Sequence, residues 1–136
     1  MAFVVDNSVA MAWCFDDEAN AYTESVLDRL RREEAVVPSI WPLEAANVLL
    51  LAERRQRISE AQLSHFVTIL RSLPITVSEI RLEAATGPVL SLARSHRLTA
   101  YDAAYLELAM REVLPPATQD HDLAAAARRV GVPLVE

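Results

Sequence analysis

Four acidic residues stand where a strand ends or a helix begins in the predicted order of elements. Asp6 directly follows the apolar run FVV, and Asp120 follows the run PPATQ. Glu44 and Asp102 lie in the first turns of two largely apolar helical patterns. Strand ends and the starts of the following helices meet at one edge of a parallel sheet. The four carboxylates are therefore predicted to converge at that edge.

Carboxylates that converge in this way need a cation. Two of them ~4 Å apart repel by about 4 kcal/mol at an effective dielectric constant of ~20. A ligand set made only of oxygen atoms suits Mg²⁺ or Mn²⁺ better than Zn²⁺. Such ions keep bound waters and open coordination positions, which the hydrolysis of phosphate esters uses. The four acids thus predict a magnesium or manganese site for phosphate chemistry.

The predicted environment of Asp102 is unusual for an acid. The stretch LTAYDAAYLELA, residues 98–109, favours a helix that is apolar nearly all the way round. Its solvent-facing side is marked by Glu107 and Arg111, an i,i+4 pair. At ~100° per residue, Asp102 lies about 140° from Glu107 and about 180° from Arg111. Its carboxylate is therefore predicted to point away from solvent.

Each acid taken alone also has a structural explanation. Asp102 could complete a capping box with Thr99. Asp6 could form a turn with the backbone of Ser8, and Glu44 could simply favour the dipole of its helix. These alternatives account for the acids singly, whereas the common placement of all four favours a metal site.

The segment QDHD, residues 119–122, offers two acids for the fourth position. We assign the cap of the last helix to Asp122 and the site to Asp120. A polar neighbour is also predicted for Glu44, because Asn47 lies three residues later on the same helix face.

The composition fits one compact domain and excludes several classes of protein. The 136 residues are 52 % apolar with a mean hydropathy of +0.16, which suggests that some apolar surface is shared with a partner. No apolar run approaches the ~18 residues of a membrane span, and the N-terminus lacks the basic region of a signal peptide. The lone Cys14 excludes an internal disulfide. A reducing cytoplasm is the expected location.

The charge is acidic, with a net value of −6, and all 13 basic residues are arginine. An acidic domain is not a general binder of nucleic acid, so contact with a phosphate backbone would depend on local arginine clusters. Four such clusters occur, at residues 29–32, 54–57, 94–97 and 128–129. Solvated helix faces are the simpler explanation for most of them. With only two glycines, a glycine-rich phosphate loop is excluded.

Short β-rich runs alternate with longer helical patterns along the chain. The pattern predicts strands at 2–6, 35–39, 74–78, 115–119 and 132–136. It predicts helices at 8–13, 18–34, 41–55, 59–73, 79–96, 99–112 and 122–131, with a break at Pro88. Such alternation indicates an α/β fold in which helices cover both faces of a mainly parallel sheet of four to five strands.

Four segments together carry a family resemblance: VVDNSVAMAWCFDDE, IWPLEAANVL, HRLTAYDAAYLELA and PPATQDHDLAAAARRVGV. In this order, over nearly the whole chain, they resemble the PIN domain, and more narrowly the VapC-type toxins of bacterial toxin–antitoxin pairs. The resemblance implies a single three-layer α/β/α domain over residues 1–136. It also implies an endoribonuclease that depends on Mg²⁺ or Mn²⁺.

The family's acidic quartet maps onto the four acids already singled out, Asp6, Glu44, Asp102 and Asp120. Asp6, Asp102 and Asp120 are the expected metal ligands. Expected supporting residues are Ser8, Asn47 and Thr99. The inward direction predicted for Asp102 is then that of a ligand, or of a group that supports one.

The resemblance also implies partners, namely an RNA substrate, a second copy of the chain and a small VapB-type antitoxin. Residues 43–52 are nearly all apolar, and LSHFVTIL, residues 63–70, adds a further apolar face. A helix that is apolar on every side must be covered on every side. We therefore expect a homodimer, and an antitoxin whose arginine or lysine competes with the metal at Asp6 and Asp102.

Three other functions are compatible with parts of the sequence. Acid–base cleavage of RNA would use His65, His96 or His121. A receiver-type signalling domain also gathers acids and Mg²⁺ on a parallel sheet, but it uses a lysine that this chain lacks. A catalytically inactive interaction module would not need the complete quartet.

Overall fold

The computed structural model describes residues 1–136 and contains one sheet of four parallel strands. The strand order is β3-β2-β1-β4, and β1 is paired on both sides, for example Val4 with Val36 and with Pro116. The strands are β1 (Ala2–Val5), β2 (Glu34–Pro38), β3 (Ile75–Ser78) and β4 (Pro116–Ala117). The sheet is flanked by helices, so the predicted α/β class is confirmed.

Eight α-helices connect and follow the strands, with a short 3₁₀ turn at Asp16–Glu18. The helices are α1 (Asn7–Ala12), α2 (Ala21–Arg29), α3 (Trp41–Arg54), α4 (Glu60–Ser72), α5 (Leu82–Ala84), α6 (Leu90–His96), α7 (Ala100–Glu112) and α8 (His121–Arg129). Between α5 and α6 runs a π-helical turn, Ala85–Val89, which contains Pro88. Proline removes a backbone donor, so the predicted break at Pro88 takes the form of a wider turn. None of the helices combines the length and apolar character needed to cross a membrane.

The core is built around β1 and α7. Phe3, Val4 and Val5 are fully buried, which matches a central strand covered on both faces. Helix α7 packs against β1 and β2, and its residues 103–109 are all buried. Strand β1 ends and helix α7 begins at the edge where the acids lie, so that edge is anchored in the best-packed part of the molecule.

The solvent side predicted for α7 needs a correction. Glu107 is buried, although its Oε1 does accept a hydrogen bond from Nε of Arg111 at 3.0 Å. The i,i+4 pair is therefore present, but only its arginine end reaches solvent. A buried carboxylate is tolerated here because the guanidinium compensates its charge.

The predicted fifth strand is wrong. Residues 132–136 form no strand, and a single hydrogen bond from the N–H of Val135 to the carbonyl of Pro116 ties them to β4. Pro133 has no N–H to donate to a ladder, and β4 has only two residues for a partner strand to pair with. The sheet accordingly stops at four strands.

Candidate metal centre

Asp6 lies directly after β1 and is the most buried of the four acids, with 6 % of its surface exposed. Its Oδ1 accepts hydrogen bonds from Ser8 Oγ at 2.6 Å and from the backbone N–H of Val9 at 3.2 Å. Its Oδ2 accepts from Thr118 Oγ1. Asp6 therefore caps α1 and is fixed in direction on both oxygens. The turn expected with Ser8 is made through the Ser8 hydroxyl and the next backbone N–H.

Burial raises the pKa of Asp6 from 3.8 to about 6. The hydrogen bonds from Ser8, Thr118 and Val9 oppose this rise in pKa, whereas the nearby charge of Asp120 adds to it. Desolvation dominates because the charged form loses its water while the hydrogen bonds replace only part of it. A cation beside Asp6 would remove this cost, and the site lacks a basic side chain among its hydrogen-bond partners.

Asp120 is the N-cap of α8, and its Oδ1 accepts from the backbone N–H of Leu123 at 2.8 Å. Its own N–H donates to Thr118 Oγ1 at 2.9 Å, so Thr118 joins Asp6 and Asp120. The prediction that Asp122 caps this helix is wrong. The helix begins at His121, and a cap must be the residue before it; Asp122 is an exposed residue of the first turn.

Asp102 lies in the first turn of α7 and is half-buried. Its backbone N–H donates to Thr99 Oγ1 at 3.1 Å, so Thr99 caps the helix as expected. The second half of a capping box, a bond from the Thr99 N–H to the Asp102 carboxylate, does not form. Burial raises the pKa of Asp102, and the charges of Asp120 and Asp122 raise it further, while a hydrogen bond from the Thr99 side chain lowers it. The Asp102 carboxylate thus interacts both with the cap of its helix and with the other acids.

Glu44 lies in the first turn of α3 and is also half-buried. Its Oε1 accepts from the Tyr105 hydroxyl at 2.5 Å. Burial and the charge of Asp102 raise the pKa of Glu44, while the bond from Tyr105 lowers it. Burial and the charge of Glu44 in turn raise the pKa of Tyr105, which therefore remains a proton donor. Glu44 and Asp102 are thus within electrostatic reach, on helices that start at the same edge.

Two residues of this network were missed from the sequence, Thr118 and Tyr105. Thr118 stands two residues before Asp120, and Tyr105 stands one helix turn after Asp102, so both spacings carried a signal. Asn47 is exposed and takes part in none of the side-chain hydrogen bonds, so its supporting role stays a prediction.

The four acidic side chains form a set of oxygen donors that suits Mg²⁺ or Mn²⁺. Electrostatic coupling links Asp6 to Asp120, Asp120 to Asp102, and Asp102 to Glu44, and every donor is an oxygen. No three of these side chains form a tight cage that would by itself hold a metal ion. Mg²⁺ commonly binds through one or two carboxylates and keeps several waters, so an open arc of acids suits it.

Comparison with known proteins agrees with this architecture. The family model described as PIN domain matches residues 3–129. The crystal structure of PAE2754 from Pyrobaculum aerophilum is similar over 93 % of this chain and 79 % of its own, with 26 % identity and a TM-score of 0.69.

Two further structures share the fold at lower identity. VapC20 from Mycobacterium tuberculosis, described as a sarcin–ricin loop cleaving toxin, aligns over 98 % of both chains with 15 % identity and a TM-score of 0.68. FitAcB from Neisseria gonorrhoeae aligns over 100 % of this chain and 97 % of its own, with 18 % identity and a TM-score of 0.68. A search of curated proteins gave no match.

Proposed function

Because the chain belongs to the PIN-domain family, we propose that it is a divalent-metal-dependent endoribonuclease and the toxin of a VapBC-type pair. The observation that carries the proposal is the buried Asp6, whose pKa is raised to about 6 beside two further acids at the carboxyl edge of a parallel sheet. An acidic site of this kind is costly without a cation. The similarity to toxin structures supports the substrate class.

The proposed metal ligands are Asp6, Asp102 and Asp120, with Glu44 in support. A bound Mg²⁺ or Mn²⁺ would supply Lewis-acid activation of water and neutralise charge on a phosphate. The chain's own residues hold the donors in place: Ser8 and Thr118 fix both oxygens of Asp6, and Tyr105 holds Glu44. Because these bonds fix the directions of the carboxylates, the donors are preorganised for substrate binding.

The proposal includes two protein partners. Large apolar side chains stay exposed at Leu43 (69 %), Leu82 (74 %) and Tyr101 (59 %), which supports a homodimer. The similarity to VapC20, which is described as a toxin, supports a toxin role and with it a VapB-type antitoxin. Its arginine or lysine would compete with the metal at Asp6 and Asp102, because a guanidinium pairs well with carboxylates. A cytoplasmic location follows from the proposed RNA substrate and antitoxin.

Metal dependence is the direct test of the nuclease. The purified chain is expected to cleave RNA with Mg²⁺ or Mn²⁺, and to stop when EDTA is added. A variant with His65, His96 and His121 all changed to glutamine is expected to keep its metal-dependent kcat. Cleavage that persists in EDTA but is lost in the histidine variant would instead establish acid–base catalysis by histidine. Inactivity under all metal conditions would favour an interaction module.

Partner formation is tested separately by light scattering, with and without the small protein encoded by a neighbouring gene. We expect a dimer alone and a larger complex with that protein. A monomer at micromolar concentration that ignores the neighbour would contradict the partners and leave the nuclease proposal intact.

A further inference from the structure

A cleft of about 520 Å³ opens between the end of α6 and helix α8. Its polar lining consists of Ser95, His96, Arg97, His121, Asp122 and Arg129. Both arginines are exposed, and they come from two of the clusters noted in the sequence. The cleft thus gathers cationic groups from separate segments of an acidic chain.

The two arginines of the cleft are not compensated by acids. The ion-paired arginines of the chain lie elsewhere, at Arg29, Arg31, Arg57 and Arg111. Asp122 is the one acid on the cleft wall, and its Oδ1 lies 3.6 Å from Nδ1 of His121. Neither Arg97 nor Arg129 forms a salt bridge, so both keep donors for an anion from outside the chain.

Arg129 is also held in position. Its Nε donates a hydrogen bond to Nδ1 of His96 at 3.3 Å. This bond occupies one of the five guanidinium N–H groups and leaves the paired terminal groups for a ligand. A guanidinium oriented in this way loses less side-chain freedom when an anion binds.

The cleft adjoins the acid cluster. His121 follows Asp120 directly, so the residue that starts the cleft wall is next to a proposed metal ligand. On the opposite wall, Arg97 precedes the Thr99 cap of α7 by two residues, and the charge of Asp122 acts on Asp102. An RNA strand that leaves the acid site along the cleft between α6 and α8 would therefore pass over Arg97 and Arg129.

We propose that this cleft binds a phosphate group of the RNA strand beside the one that is cleaved, through Arg97 and Arg129. The proposal rests on the proposed nuclease function and adds a substrate-binding site to it. The physical reason for such a site is charge. The acid cluster and the net charge of −6 repel a polyanion, so RNA binding needs positive side chains close to the acid cluster. Arginine suits the task because it binds phosphate bidentately.

The test compares two double variants that change the charge equally. Arg97→Gln with Arg129→Gln removes the cleft pair, and Arg54→Gln with Arg55→Gln removes two exposed arginines without salt bridges at the far end of α3. Each is made in an Asp6→Asn background, so that labelled single-stranded RNA is bound without being cleaved. Affinity is measured by fluorescence anisotropy over a series of salt concentrations, with polyglutamate as a second anion.

The cleft variant is expected to bind RNA about tenfold more weakly, with a salt slope smaller by about 0.7, because one neutralised phosphate of a single strand is lost. The α3 variant is expected to match the Asp6→Asn parent. When Arg97→Gln and Arg129→Gln are made in the chain that keeps Asp6, they should raise the KM for RNA cleavage and leave kcat unaltered.

Three results would overturn the assignment. Normal cleavage and RNA affinity in the cleft variant would contradict the phosphate site alone. Equal losses in both double variants would show a general charge effect, and equal losses for polyglutamate would show a site for acidic peptides. An unsubstituted chain that neither binds nor cleaves RNA would instead contradict the proposed function, and this site with it.

Discussion

The two sides of the acid site differ in how firmly their carboxylates are held. On the β1 side, Asp6 is buried and accepts three hydrogen bonds, from Ser8, Val9 and Thr118. On the α7 side, Asp102 is half-buried, and Thr99 is the one side chain that hydrogen-bonds to its carboxylate, against the charges of Asp120 and Asp122. The direction of the Asp6 carboxylate is thus fixed by the fold, whereas that of Asp102 depends more on the metal ion, water or substrate that binds in the site.

This contrast separates two tasks within one cluster. A carboxylate fixed on both oxygens defines a position, and one with more exposure can adjust to water or substrate. Both are expected to be needed for activity, but only the fixed one should carry a large electrostatic cost in the metal-free protein. The following predictions test that difference.

The largest effect on RNA cleavage is expected from removing the carboxylate charge of either Asp6 or Asp102. Asp6→Asn and Asp102→Asn should each lower RNA cleavage more than ~100-fold, beyond the ~10–100-fold of an indirect partner. Both should also weaken Mn²⁺ binding in calorimetric titration. Asp16→Asn serves as the control, because it removes an exposed carboxylate that takes part in none of the hydrogen bonds of the site. Full activity in either of the first two variants would disprove the site assignment.

A pH-dependent effect on stability should distinguish Asp6 from Asp102. Between an unfolded pKa of 3.8 and a folded pKa of about 6, the folded protein binds more protons at Asp6. In the metal-free protein, Asp6 therefore contributes stability that is fully present below pH ~4. This contribution is lost as pH rises towards ~6, and the loss amounts to up to about 3 kcal/mol. Asp6→Asn should gain stability relative to wild type over this window.

Urea unfolding in EDTA at several pH values measures this gain. Asp102→Asn should show the same sign with a smaller amplitude, because Asp102 is only half-buried and so less desolvated. A difference in unfolding free energy between Asp6→Asn and wild type that is the same at every pH would reflect the changed hydrogen bonds alone. A gain that does not grow with pH would therefore refute the predicted charge cost.

The next largest effect is expected from the hydrogen bond that Thr118, directly after β4, donates to Asp6. Thr118→Val removes the donor to Asp6 and the acceptor for the Asp120 N–H, so activity and Mn²⁺ affinity should fall by ~10–100-fold. Thr68→Val is the matched control, since Thr68 bonds only to a carbonyl of its own exposed helix face. Equal effects of the two changes would show that Thr118 has no special role.

The smallest effect is expected at the Glu44 support. Tyr105→Phe removes one hydrogen bond to Glu44 and should lower activity by about tenfold or less, with a loss of stability of about 1 kcal/mol. Tyr101→Phe removes a hydroxyl from an exposed tyrosine on the same helix and should leave activity unchanged. A loss as large as that of Asp6→Asn would place Tyr105 among the groups essential for activity.

Local sequence determined much of this protein. The alternation of apolar runs predicted the four strands and most helices, Ser59 and Thr99 were recognisable as caps, and Gly131 marked the end of α8. The positions of the acids at strand ends and helix starts were likewise visible. All of these depend on residues a few positions apart, because helix periodicity and capping are local interactions.

Only the tertiary structure decided how the acids are held. The bond from Thr118 to Asp6 spans 112 positions and that from Tyr105 to Glu44 spans 61, so neither is set by local spacing. Burial of Asp6 and Glu107 arises from elements packed around them, and it determines the energy of each charge. Asp120 became the cap because α8 starts one residue earlier than the pattern predicted, and helix starts depend on how the chain leaves β4.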